Sequence, residues 1–332
     1  MPTADRYVST GGLPVETIVA ELVRAAYERF RANGDGAVTD VYPALARVDP
    51  DSFGVCIAAT DGRLFEAGDS RRSFTIMSVA KPFVFALTCQ AVGVDAIRTL
   101  VGVNATGLPF NSVQAVERSS AGRTNPMVNP GAIATTSLTP GRLLADRWQF
   151  IVDGLSRFAG RELHLDLDVL ASALATNHRN RALAALLRSV DGLAGDPDEA
   201  TELYTRQSCL SVAATDLAVM GATLADGGVC PVTQQRVIDP DVARVTLAVM
   251  TIAGLYETSG DWLIDVGVPG KSGIGGGVVT VSPGKGALGT FAPRLDRAGN
   301  SVKGQLAAQF LARRLGLDLL ASQPVPAAAV SS

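Results

Sequence analysis

Histidine is almost missing from this sequence: His164 and His178 are the only two among 332 residues. That scarcity restricts Ser-His and Cys-His catalytic schemes as well as His-rich metal sites. His178, in "NHRNR", precedes a helical run and reads as a surface residue rather than a base. Cysteine is sparse too. Cys56, Cys89, Cys209 and Cys230 are scattered, with no Cys-x-x-Cys pair to suggest metal or redox work, and they suit reduced core thiols in a cytoplasmic protein. Charge of one sign is also lacking. The 29 basic and 32 acidic residues leave a net charge of −3 without a long single-sign run, so nothing electrostatic points to nucleic acid or an anionic membrane as partner. The opening "MPTADRYVSTGGLPVETIVAELV" lacks the basic region, apolar core and cleavage site of a secretory signal. No apolar run approaches the roughly 20 residues that span a bilayer. No ligand cluster implies a metal, and no cofactor motif stands. What remains is a globular chain whose 47% hydrophobic content is ample for a core, with a small, weakly charged substrate as the expected partner.

Residues 14–33 place Ile18, Leu22, Ala25 and Ala26 at helical spacing, with Gly34 as a stop. "FGVCIAATDGRLFEAGD" reads as a β-hairpin turned at Asp61-Gly62. After Ser78 an apolar helix runs to Gly93. Residues 104–140, rich in Gly, Pro, Asn and Ser, read as a long structured loop region, and such a loop in a compact domain is often functional. From about 139 to 254 the pattern is helical. After 255 come Gly-rich turns and β-branched runs, "GGGVVTVSP" and "GALGTFAP", and then a closing helix, "SVKGQLAAQFLARRLG". Strands at both ends around a helical middle predict an α+β architecture, in which the N- and C-terminal segments form one antiparallel sheet packed against that middle. The expected organisation is a single domain over 12–318, its α/β part roughly 12–80 and 255–318 and its helical part 81–254. The end, 319–332, is expected to be a flexible tail.

Without histidine, a serine nucleophile needs another proton acceptor. Lysine serves if burial or nearby positive charge lowers its pKa from about 10.4 toward neutrality. Ser78-Val79-Ala80-Lys81, within "FTIMSVAKPF", has the spacing: residues i and i+3 share a helix face. Pro82 is tolerated only near a helix start, which puts Ser78 at or just before the first turn, at the positive end of the helix dipole. Taken alone, the quartet also fits the commoner case of a serine N-cap beside a solvated lysine. "PGKSGIGGGV", residues 269–278, adds a second lysine and a Gly-rich turn before a strand. It is no phosphate-binding loop, because Asp265 stands where the first glycine belongs and a strand follows. Ser-x-x-Lys followed far downstream by Lys-Ser/Thr-Gly is the pairing of penicillin-recognising enzymes and their relatives, in which the second lysine adds positive potential beside the nucleophile.

The ordered segments "PALARVDPDSFGV", "SVAKPF", "GLPFNS", "NPMVNPGAIATTSL", "RNRALA", "LYTRQSCLSV", "LADGGVCP", "GLYETSGDWLIDVGVPGKSGIGGG" and "GNSVKG" carry a closer match. From about residue 12 to about 315 the chain resembles the serine-dependent glutaminase family, which has the β-lactamase-like fold. The resemblance implies that Ser78 attacks the side-chain amide of L-glutamine and releases ammonia and then L-glutamate through an acyl-enzyme. It implies Lys81 as proton acceptor, Tyr256 as a second proton carrier, Lys271 beside them, and the backbone N–H groups of Ser78 and Ile274 as the oxyanion hole. Asn129, Asn180 and Tyr204 match positions that hold the α-amino and α-carboxylate groups. The family further suggests a homodimer or homotetramer.

Two departures stand out. Ala173 occupies the position of a family glutamate that would pair with the substrate ammonium. Val41 stands where the family has a tyrosine, with Tyr42 one position later; in an extended segment such a slip turns the side chain to the opposite face, so Tyr42 is no substitute unless the loop is rearranged. Smaller changes are Pro130 and Ala80. These departures keep two alternatives in view, an amidase of shifted specificity and a binding relative that lost turnover. A β-lactamase or D,D-peptidase relative shares the nucleophile logic but usually works outside the cytoplasm.

Overall fold

The computed structural model describes residues 11–321. In chain order its longer elements are α1 (Glu16–Phe30), the hairpin β1 (Gly54–Ala59) and β2 (Leu64–Gly68), then α2 (Ala80–Val92), α3 (Asn129–Ser137), α4 (Leu144–Ala159), α5 (Leu167–Thr176), α6 (His178–Ser189), α7 (Pro197–Ser208), α8 (Ala214–Ala225), α9 (Pro240–Ala253) and α10 (Ser259–Val266). β3 (Gly270–Ser272), β4 (Gly277–Ser282), β5 (Gly286–Phe291) and α11 (Val302–Leu315) complete it. The five strands form one antiparallel sheet in the order β2-β1-β5-β4-β3. Both ends of the sequence share that sheet, the α+β arrangement expected from the distribution of strand-like and helical runs.

The strands β1, β4 and β5 are buried on both faces, which is why they read as nearly continuous apolar runs. Alternate residues serve two cores. Val55, Ile57, Val278 and Leu288 meet α1 and α11 through Val19, Val23, Ala308 and Leu311. Cys56, Ala58, Val279, Val281 and Phe291 turn the other way, toward α8 and the helical middle. There α8 approaches so closely that a Cβ on Gly221 would stand 2.6 Å from the Ala287 Cβ. The rings of Phe74 and Phe291 stack at 4.2 Å, joining the segment ahead of α2 to the sheet.

Two expectations change in detail. The region 104–140 is not loop throughout: it contains a short helix, Val113–Glu117, and ends in α3, all of whose residues are buried. Asn-Pro-Gly, read as a turn, is a helix start, where proline costs no hydrogen bond. The boundary at 318 is less abrupt than expected, because the Leu319 N–H donates to Gly267 O at 3.0 Å; residues 322–332 of the expected tail lie outside the described residues. His164 pairs at an edge of a small three-stranded sheet and His178 opens α6, both exposed. Among the described residues no single helix is long and apolar enough to cross a membrane.

Candidate active site

A two-residue strand, Phe74–Thr75, leads through a 3-10 turn, Met77–Val79, into α2. Met77 takes φ 47°, a left-handed conformation that costs free energy in a residue with a side chain and marks a turn held by its surroundings. Ser78 follows it. Its side chain makes no capping bond, so the N-cap alternative fails, and it lines a cleft of about 140 Å³.

Lys81 lies in the first turn of α2 and is 2 % exposed. Its Nζ donates to Asn129 Oδ1 at 2.7 Å and sits about equally far, 5.9 to 6.0 Å, from the rings of Phe110, Tyr204 and Tyr256. No carboxylate pairs with it among the described residues. Burial without a counter-ion therefore pushes its ammonium down to about 7. The same Asn129 oxygen accepts from the Tyr204 hydroxyl at 3.0 Å, and Asn129 Nδ2 donates to Asn180 Oδ1 at 3.0 Å. Asn129 opens α3, Asn180 lies in α6 and Tyr204 in α7, so three helices converge on one hydrogen-bonded chain.

Tyr256 reaches the site from the other direction, on a 3-10 turn with φ 59°. Its hydroxyl and the Lys271 ammonium both donate to Ser272 O, at 3.3 and 2.6 Å. Lys271 Nζ also lies 4.0 Å from the centre of the Tyr256 ring. Burial raises the Tyr256 phenol to about 12, partly offset by the neighbouring Ser78 hydroxyl, and burial raises the Tyr204 phenol well above its usual value. Burial, and then Lys81, drive Lys271 well below the usual lysine range. Beyond β3 the chain turns at Gly273, where a Cβ would come 3.1 Å from Ser78 N. This close approach brings Ile274 into the wall of the Ser78 cleft. The Ile274 N–H has no acceptor among the described residues.

All eight sequence-derived residues, Ser78, Lys81, Asn129, Asn180, Tyr204, Tyr256, Lys271 and Ile274, are thus gathered around one cleft. Tyr42 joins them, contrary to the simple slip rule. Its segment is a series of bends leading into the 3-10 turn Leu45–Arg47, so two-residue alternation does not apply. The half-buried ring lines the cleft beside Asn180, while burial and then the Cys209 thiol push the phenol up to about 12. Val41 points more to solvent, at 55 % exposure. Ala173 is wholly buried in the cleft wall, where its methyl group replaces the expected carboxylate.

Sequence reasoning passed over several neighbours. Phe110, within "GLPFNS", packs against Tyr256 with ring centres 4.7 Å apart and accepts the Asn129 N–H on its carbonyl at 2.7 Å. Asn300, within "GNSVKG", is hydrogen-bonded to the Ser272 hydroxyl and donates to Thr258 Oγ1 at 3.0 Å, tying β3 to the Tyr256 turn. Asn177 and Arg179 also line the cleft. Their motifs were visible, but their contacts lie far away in sequence. A larger depression, about 760 Å³ between Asp95 and Thr124, is lined by none of these groups.

The glutaminase family model matches residues 36–320. The chain belongs to the glutaminase family, whose members are amidohydrolases. It is 61% identical over 330 residues to "Glutaminase 2" of Yersinia pestis, covering 98% of this chain and 97% of that relative. A solved structure titled probable glutaminase ybaS superposes with a TM-score of 0.92 at 40% identity, covering 93% of this chain and all of the other. A structure titled Mglu in its glutamate form gives a TM-score of 0.86 at 37% identity, covering 92% of this chain and 70% of that one. The β-lactamase-like fold expected from the motifs is the fold of these neighbours.

Proposed function

We propose that the protein hydrolyses L-glutamine to L-glutamate and ammonia with Ser78 as nucleophile. The observation that carries this reading is Lys81: a lysine one helical turn from an uncapped serine, sealed among three aromatic rings, with its pKa brought down to about 7 by burial. At neutral pH a large share of it is free amine. The amine takes the Ser78 proton as Oγ forms a bond to the amide carbon. The resulting oxyanion is held between the N–H groups of Ser78 and Ile274. The carbon–nitrogen bond then breaks, and ammonia leaves with the proton that Lys81 received. Tyr256, protonated at this pH, takes part in that transfer as a donor. Water attacks the acyl-enzyme, Lys81 accepts its proton, and the ester bond breaks as Lys81 returns that proton to Ser78 Oγ, freeing the acid.

Lys271 has a supporting role in this scheme. It donates a hydrogen bond to Ser272 O, while burial and then Lys81 lower its hold on a proton. Asn129, Asn180 and Tyr204 contact the substrate from within the network that also holds Lys81, in keeping with a relative solved in a glutamate form. We read residues 12–318 as one catalytic domain, since strands from both ends complete the same sheet. The family resemblance supports a homodimer or homotetramer, which light scattering on the purified protein would test. Four buried, unpaired cysteines suit a reducing, cytoplasmic location. Ammonia release from L-glutamine, with Ser78→Ala as control, tests the central reading: turnover that survives in the variant refutes it.

A further inference from the structure

The cleft beside Ser78 is one-sided in charge. No aspartate or glutamate lines it, while Arg179 supplies a cation at its edge. Lys81 and Lys271 lie buried around the nucleophile. The nearby carboxylate Asp166, which faces the Cys209 thiol, is occupied in capping α5 through the Val169 N–H at 3.0 Å. The rest of the wall is neutral: Tyr42, Ala173, Asn177, Asn180 and their neighbours. An ammonium group entering this cleft gives up water for no counter-charge, whereas a carboxylate finds the Arg179 guanidinium at the edge. One polar atom of the wall is unspent. The buried Asn177 side-chain carbonyl has no hydrogen-bond partner among the described residues, because only its amide nitrogen is engaged, donating to Thr205 Oγ1 at 3.0 Å. A neutral acceptor of this kind suits a neutral N–H better than it compensates a full positive charge.

We propose that the cleft prefers anionic ω-amides in which the carbon next to the carboxylate carries an uncharged group, either an acylated nitrogen or simply hydrogen, over zwitterionic glutamine. The inference rests on the Ser78 amidohydrolase reading, and the reaction is the same: the amide plus water gives the carboxylate and ammonia through the serine ester. Such substrates offer a carboxylate to Arg179 and leave no ammonium to be desolvated.

The test measures ammonia release by the full-length protein from L-glutamine, glutaramate and N-acetyl-L-glutamine, with Ser78→Ala as blank. At least one of the two anionic substrates that lack an ammonium group is expected to exceed L-glutamine by about tenfold in kcat/KM, mainly through KM. Glutaramate in front identifies free dicarboxylic monoamides as the preferred source, and N-acetyl-L-glutamine in front identifies acylated amino acids. L-Glutamine equal to or ahead of both overturns the inference and leaves the glutaminase reading intact. Ammonia from none of the three overturns both. Ala173→Glu, which returns a carboxylate to the wall, is expected to shift the ratio by about tenfold toward L-glutamine. If that larger side chain prevents folding, Asn177→Asp makes the nearly isosteric change beside it and is expected to shift the ratio in the same direction. An unchanged ratio in a folded variant also overturns the inference.

Discussion

The two sides of the cleft are built differently. Around Ser78 the polar groups are dry and connected: Lys81, Tyr204 and Asn180 converge on Asn129, and Lys271 and Tyr256 share one carbonyl. Across from this network the recognition wall holds an exposed Val41, a bare methyl at Ala173 and an unpartnered carbonyl at Asn177. Groups that move protons must be held within fractions of an ångström, and a connected network does that. A wall that only discriminates among substrates tolerates replacement, because each of its contacts changes affinity by a modest factor. Substitutions on the two sides should therefore differ in kind, with loss of turnover on one and altered preference on the other.

The largest effect expected is that of Ser78→Ala, a loss in kcat on the order of 10⁴-fold or more with the melting temperature nearly unchanged. Lys81→Met should cost about 10³-fold. It also has a signature of its own. Only the neutral amine accepts a proton, so wild-type kcat should rise as pH increases through about 7, where burial has brought the lysine. The variant's residual activity should lack that limb, and a limb that persists would assign it to another group. Tyr256→Phe keeps the ring against Phe110 and Lys271 and removes one hydroxyl, with an expected loss of about 10- to 100-fold. Tyr42→Phe, on the recognition wall, should change KM by less than about tenfold with kcat nearly intact, since it removes one neutral hydrogen bond. An effect on kcat as large as that of Tyr256→Phe would erase the distinction between the two sides.

Much of the connected side could be read in the sequence. Ser78 and Lys81 lie three residues apart where the 3-10 turn enters α2, so their spacing already pairs them. The strands of the sheet announced themselves as β-branched runs, and burial on both faces explains why they did not alternate. Asn129 was recognised as a site residue while its helix was missed, because Asn-Pro-Gly signals a turn equally well. Whether Tyr42 reaches the cleft was left open by the sequence, because a rule for extended chain does not hold in a series of bends. Phe110 and Asn300 had no assigned part, since each acts through partners that only the folded topology brings near. The quartet became persuasive through the Gly273 turn, which approaches Ser78 and brings Ile274 into the same cleft.

That topology has a consequence for the order of synthesis. β1 is made early, but its neighbour β5 and the turn carrying Ile274 come from the last fifth of the chain. A nascent polypeptide can display Ser78 and Lys81 for most of its translation without a third wall to enclose them. Such distant pairings form slowly, because the loop closure must precede the contacts that reward it. If Ser78 is the nucleophile, the appearance of activity should coincide with docking of the C-terminal strands.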